Sequence, residues 1–247
     1  MSLSSTASLR IARNGQAFDL LGVPADVQQL AAARQFTQWL DRMDPRFRIR
    51  HITLQVLDRR IDGGLLFAKL LAEVTDDHDR RIPGAVFLRG DAVAVLVVLH
   101  ADDRAWVVLT AQPRFPSGEF ESVEIPAGMM DDHGDFIGKA AQEVQEETGL
   151  LIHAAALVVL GEFFPSGGGS DENIRLYLYE QPATDAEIQA MHGRVAGAHH
   201  EHEHIRVLLV PLDELPRHTN DSKALLAYGA YRGLWGPHSH HQQEARV

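Results

Sequence analysis

The stretch that most restricts how this chain can fold is residues 128–150, GMMDDHGDFIGKAAQEVQEETGL, where a glycine-containing loop runs into a helix with both ends specified. Asp135 is a good N-cap, because its carboxylate can accept one of the amide hydrogens that the first turn leaves unpaired, and Gly149 supplies the residue that closes a helix in the left-handed region. Between them Ile137, Ala140, Ala141 and Val144 recur at the spacing of one inward stripe. Glu143 stands four residues from Glu147 and three from Glu146, so three carboxylates share one side as surface neighbours.

Two readings of that acidic side are open. It is either a solvated face of an acidic protein or a cation site. Like charges at i and i+4 cost about 0.2–0.5 kcal/mol per pair, and acids in the last turn oppose the helix dipole. A bound divalent ion reverses both signs. Mg²⁺ prefers oxygen ligands and sits between one or two carboxylates and substrate phosphates, with Mn²⁺ a possible substitute.

Around this segment the hydropathy pattern predicts an α+β chain with helices flanking sheets. After Pro24, residues 24–43 place Leu30, Ala33, Phe36, Trp39, Leu40 and Met43 on one face, which predicts a single amphipathic helix. From Arg50 the runs HITLQVL, LLFAKLLAEV, AVFL, AVAVLVVL and AWVVLTAQ, separated by DGG, IPG, RGD and ADD, predict an antiparallel or mixed sheet. Strands follow near Ala155–Phe163, Ile174–Tyr179 and Ile205–Pro211, and a last helix near Asp221–Leu234. GVPADV is the one plausible early linker, PSGGGSDE and GRVAGAHHEHEH are expected to be long functional loops or mobile lids, and the tail from Gly236 is expected to be disordered.

Composition excludes several function classes. The net charge of −11, with basic residues scattered along the 247 positions, lacks the footprint of a long nucleic-acid partner. With no cysteine there are no disulfides, thiolate zinc sites or cysteine nucleophiles, so metal chemistry must use oxygen or imidazole. The first residues lack an apolar h-region, and the longest apolar run, Ala92 to Leu99, is too short to span a bilayer. A cytoplasmic protein without a membrane partner is expected. His199, His200, His202 and His204 are read as solvated loop residues with no ligand role.

Residues 128–150 resemble the Nudix signature GX5EX7REUXEEXGU, U being aliphatic. Gly128, Glu143, Val144, Glu146, Glu147, Gly149 and Leu150 match, while Gly134 and Gln142 stand where the family has a glutamate and an arginine. The flanking strings VVLTAQPRFPSGEFESVEIPAG, FFPSGGGSDENIRLYLYE and HEHIRVLLVPLDEL are similar to the ADP-ribose and ADP-sugar pyrophosphatases, most of all the plant-type ADP-sugar diphosphatases. The likeness spans roughly Arg50 to Leu234.

This resemblance implies a Nudix fold, a mixed β-sheet sandwiched between helices, with an N-terminal β-rich extension. The expected division is 1–84 as helix and β-rich dimerisation region, 85–235 as catalytic domain and 236–247 as flexible tail. It implies metal ligation by the Ala127 carbonyl, Glu143, Glu146 and Glu147, with Glu147 also counted among the catalytic groups. Substrate contacts are implied for Arg114, Glu124 and Glu172, and a general base at Glu201, with Glu203 its rival. The implied activity is Mg²⁺-dependent hydrolysis of the diphosphate of a nucleoside diphosphate sugar by a homodimer. Two alternatives remain: a non-catalytic nucleotide-sugar sensor on the same fold, motivated by Gly134 and Gln142, and hydrolysis of another nucleotide class.

Overall fold

A computed structural model describes residues 7–130, 135–197 and 205–236, and they divide into two compact units. The first unit is Met1–Asp91 with Phe164–Glu172, and the second is Ala92–Phe163 with Asn173–Val247.

The first unit opens with a hairpin of β1 (Ala7–Arg13) and β2 (Gln16–Gly22). Asn14 and Gly15 turn it, both at positive φ (48° and 70°), as a two-residue turn matched to strand twist requires. The helices α1 (Pro24–Ala32) and α2 (Arg34–Asp41) then cross over to β3 (Arg48–Arg59), which lies parallel to β2. Strands β4 (Leu65–Thr75), β5 (Arg81–Ile82) and β6 (Ala85–Leu88) complete the sheet, in the order β1-β2-β3-β4-β5 with β6 also on β4. Phe18, Leu20, Val27, Leu30, Phe36, Leu40, Ile52 and Leu70 fill its core.

Two expectations change here. The single helix over 24–43 is two, because Ala33 is extended (φ −70°, ψ 136°). Val27 and Phe36 are nine residues apart, about 180° around a continuous helix, so one helix could not bury both; the break lets both enter the core. GVPADV is not a linker: Gly22 ends β2, Pro24 starts α1, and a side chain at Gly22 would press on Val27 and Leu54.

The second unit is built on a mixed sheet. Its strands are β7 (Ala92–Ala101), β8 (Arg104–Arg114), β9 (Glu119–Glu124), β10 (Ala127–Met129), β11 (Val158–Phe163), β12 (Ile174–Pro182), β13 (Val195–Ala196) and β14 (Ile205–Pro211). The order is β11-β12-β7-β8-β14-β13, with β10 on β7 and β9 on β8, and only β12 and β7 run parallel among these pairs.

The apolar run of β7 is explained by burial on both faces. Val93, Val95, Val97 and Leu99 meet α3 (Phe136–Thr148) and α4 (Asp185–Met191) through Ala140, Val144 and Ile188. Ala92, Ala94, Leu96 and Val98 meet the other core, with Leu215 of α5 (Leu215–His218) and Ala224 and Ala227 of α6 (Ser222–Tyr231). This is the expected sheet sandwiched between helices. No helix among the described residues is long and apolar enough to cross a membrane.

The glycine-rich connection Phe164–Glu172, expected to be a functional loop or mobile lid, is tied into the first unit. The Asp171 carboxylate accepts the amides of Arg89 (2.6 Å) and Gly90 (3.2 Å), and the Phe87 amide donates to the Gly169 carbonyl at 2.8 Å. Burial raises the Asp171 pKa, only partly offset by these amides and by Arg42. The tail expected to be disordered lies, from residue 237 on, outside the described residues, as do residues 198–204 of the histidine-rich stretch.

Candidate active site

Helix α3 is placed by the local signals at its two ends. Asp135 accepts the Gly138 amide at 2.7 Å, and Gly149 closes the helix at φ 73°. Its apolar contacts begin at Phe136 rather than Ile137, which is 42% exposed. Phe136, Ala140 and Val144 follow the i, i+4 line that lies on the sheet, and Ile137 falls about 100° off it. The Arg175 guanidinium covers the Phe136 ring, 4.1 Å from its centroid.

The acidic side of α3 is not the exposed face the spacing suggests. Glu143 is 9% exposed and Glu147 only 3%, and Glu146 is half-buried. Two carboxylates are thus taken out of water, which is unfavourable unless they are paired or coordinate a cation.

Strand β10 meets both. The Ala127 amide donates to Glu147 Oε2 at 3.1 Å. Because the Val95 amide bonds the Pro126 carbonyl, Ala127 and Ala94 form a non-hydrogen-bonded pair. The amide and carbonyl of Ala127 therefore point away from β7, and that carbonyl is not consumed by the ladder. Next to it, a Cβ on Gly128 would sit 2.0 Å from Glu143 Oε1, so only glycine leaves room for that carboxylate. Glu143 Oε1 also receives Lys139 Nζ at 2.5 Å, and Gln142 donates to Glu146 at 3.0 Å. Gln142, which departs from the signature, thus steadies one of the acids itself.

This donor set fits a hard divalent ion: three carboxylates, two of them buried, beside a strand carbonyl and a residue with no side chain. Among the described residues, the one trio of carboxylate or imidazole groups with ligand atoms within 4.8 Å is Asp76, Asp77 and His78, in the first unit. There the Asp76 carboxylate caps the His78 and Arg80 amides of an exposed turn, so the trio has a structural explanation.

A second polar chain crosses the same unit. Arg114 grips Glu124 with both prongs, Nε–Oε1 at 2.7 Å and Nη2–Oε2 at 3.0 Å. Lys223 Nζ bonds Glu124 at 3.2 Å and Asp221, the N-cap of α6, at 2.8 Å. Burial alone would raise the Glu124 pKa, but the Arg114 fork and the charge of Lys223 outweigh it and hold it at about 2. Burial lowers the Lys223 pKa, and Asp221 and Glu124 more than reverse this.

The structure sets Glu147 against the Ala127 amide and Glu143 against Gly128, leaves Glu146 one turn along α3 with Gln142, and pairs Arg114 with Glu124. Glu172 belongs to the first unit, where it pairs with Arg89 at 2.9 Å. Glu201 and Glu203 lie outside the described residues. Lys139 and Lys223 were missed, since a single lysine at a helix start reads as a solvated side chain. The i, i+4 spacing of Lys139 and Glu143 was the one available signal.

Residues 89–228 match the NUDIX domain family. The chain is 34% identical over 229 residues to Nudix hydrolase 14, chloroplastic, of Arabidopsis thaliana, covering 84% of this chain and 72% of that protein. It is 33% identical over 100 residues to CMP-5'-(N-acetyl-N-hydroxy-3-aminopropyl)phosphonate hydrolase of Streptomyces rubellomurinus (strain ATCC 31215), covering 40% and 39%. The fold is similar to the crystal structure of an ADP compounds hydrolase, with a TM-score of 0.56, 14% identity, and coverage of 83% and 100%.

Proposed function

The chain belongs to the Nudix hydrolase family, and from that premise we propose that it cleaves the diphosphate bond of a nucleoside diphosphate sugar, ADP-ribose or ADP-glucose among them, in a Mg²⁺-dependent reaction. The products are a nucleoside monophosphate and a sugar phosphate. The observation that carries this reading is the pair of buried carboxylates, Glu143 and Glu147, set against Gly128 and the Ala127 amide of β10. Two of the similar proteins are named for hydrolysing nucleotide-linked compounds, one of CMP and one of ADP, which supports the substrate class.

Glu143, Glu146, Glu147 and the Ala127 carbonyl would hold the ion, with Mn²⁺ as a substitute. When bound it would neutralise diphosphate charge and lower the pKa of an attacking water. The chain's own contribution is placement. Glu147 is locked to β10 through the Ala127 amide, Gln142 orients Glu146, and Gly128 leaves room for the Glu143 carboxylate. Glu124, kept ionised by Arg114 and Lys223, fixes the guanidinium of Arg114, which faces substrate in this reading, and Glu172 contributes a further substrate contact. Glu201 or Glu203 takes the proton of the attacking water. We further propose a cytoplasmic homodimer, with 1–84 as its dimerising region and 85–235 as the catalytic domain.

The test is a substrate panel of ADP-ribose, ADP-glucose, UDP-glucose, GDP-mannose, dinucleoside polyphosphates and oxidised nucleotides. Each is assayed with Mg²⁺ and a coupling phosphatase. Turnover of the nucleotide sugars is expected. Binding without product from any of them would replace hydrolysis with sensing.

A further inference from the structure

Lys139 is oddly placed for a lysine that merely supports a helix. It sits in the first turn of α3, where a positive charge opposes the helix dipole, and it precedes its glutamate partner at i, i+4, the less favourable order. Yet its side chain is only 13% exposed and its ammonium lies 2.5 Å from Glu143 Oε1, whose own side chain is 12% exposed. A long, strongly hydrated side chain has been withdrawn from water to meet one buried carboxylate. That carboxylate also lies directly against Gly128, where any side chain would overlap it.

We propose that Lys139 is a tethered counter-cation that competes with the divalent ion for Glu143. This rests on the reading of α3 as a metal site. A buried carboxylate with no counter-charge is strongly destabilising, so between metal-binding events the ammonium keeps Glu143 paired and α3 folded onto the sheet. Glu143 Oε1 cannot serve the ammonium and a divalent ion at once, so an ion that takes Glu143 as a ligand displaces the ammonium from it. Lys139 thereby sets the ion concentration at which the site loads. It is a positioning residue and touches no substrate.

The test is calorimetric titration of Mn²⁺ alone, with melting temperatures recorded with and without the ion, on wild type, Lys139→Met, Lys139→Gln, Lys139→Arg and Glu147→Gln. Lys139→Met is expected to melt lower than wild type without the ion, to bind Mn²⁺ on the order of tenfold more tightly, and to gain more in melting temperature on binding. Lys139→Gln, whose amide can still bond Glu143 without a charge, carries the same expectation and covers the case in which methionine is not accommodated. Lys139→Arg should stay near wild type. Equal or weaker Mn²⁺ affinity in both neutral variants, with wild-type binding that Glu147→Gln abolishes, overturns the role of Lys139 and leaves the metal site standing. Wild type that binds no Mn²⁺, or Glu147→Gln that binds it unchanged, overturns both.

Discussion

Helices α2 and α3 each lie on a sheet, one in each unit, and they are held there in opposite ways. Helix α2 has no side-chain cap at its start and buries Phe36 and Leu40 with Gln35. Helix α3 has Asp135 and Gly149 fixing its ends and gives two of its five buried positions to Glu143 and Glu147, with only Ala140 and Val144 buried as apolar residues. Packing determines the first helix; the second is defined locally at its ends, which lets its inner side carry charge. The contrast separates residues kept for stability from residues kept at the expense of stability.

The largest expected effect lies on the apolar side. Phe36→Ala should lower the free energy of unfolding by about 4 kcal/mol, read by urea denaturation, because a fully buried ring leaves a cavity. On α3 the reverse is expected. Glu147→Gln removes a buried charge and should leave the melting temperature in metal-free buffer unchanged or raised, while turnover falls roughly a hundredfold, about 2.7 kcal/mol. A large loss of stability in that variant would make Glu147 a structural residue like Phe36.

Glu124 sharpens the comparison, being a buried acid whose counter-charges are built into the protein. Its pKa is lowered from 4.5 to about 2, so its contribution is fully present above pH 4.5 and is lost as pH falls toward 2. That is on the order of 3 kcal/mol. Glu124→Gln should flatten the pH dependence of stability across that window, measured by melting temperature against pH. The smallest effect is at the cap. Asp135→Ala should cost about 1 kcal/mol, with no comparable change available at α2, whose N-cap position is Ala33.

Much of α3 was legible in the sequence because its determinants are neighbours along the chain: Asp135, Gly149 and the spacing of three glutamates. What was not legible depends on contacts far along the chain. The burial of Glu143 and Glu147 comes from Ala127 and Gly128 of β10, some twenty residues away, and the partnership of Lys223 with Glu124 spans 99 residues. The break at Ala33 was hidden because alanine is a good helix former; the sheet, not the propensity, demands it. The β1–β2 hairpin was readable, since Asn14-Gly15 is flanked by alternating residues, and it was passed over. The Thr184–Glu187 capping box of α4 is a second local signal of the same kind.

The attachment of Phe164–Glu172 to the first unit also bears on how the chain is made. A ribosome adding about 5–20 residues per second releases Arg89 and Gly90 on the order of ten seconds before Asp171, which must accept their amides. The first unit therefore waits, with those two donors unpaired, until about half of the second has been synthesised. Nascent-chain folding of the N-terminal sheet is complete only after the message for β11 has been read.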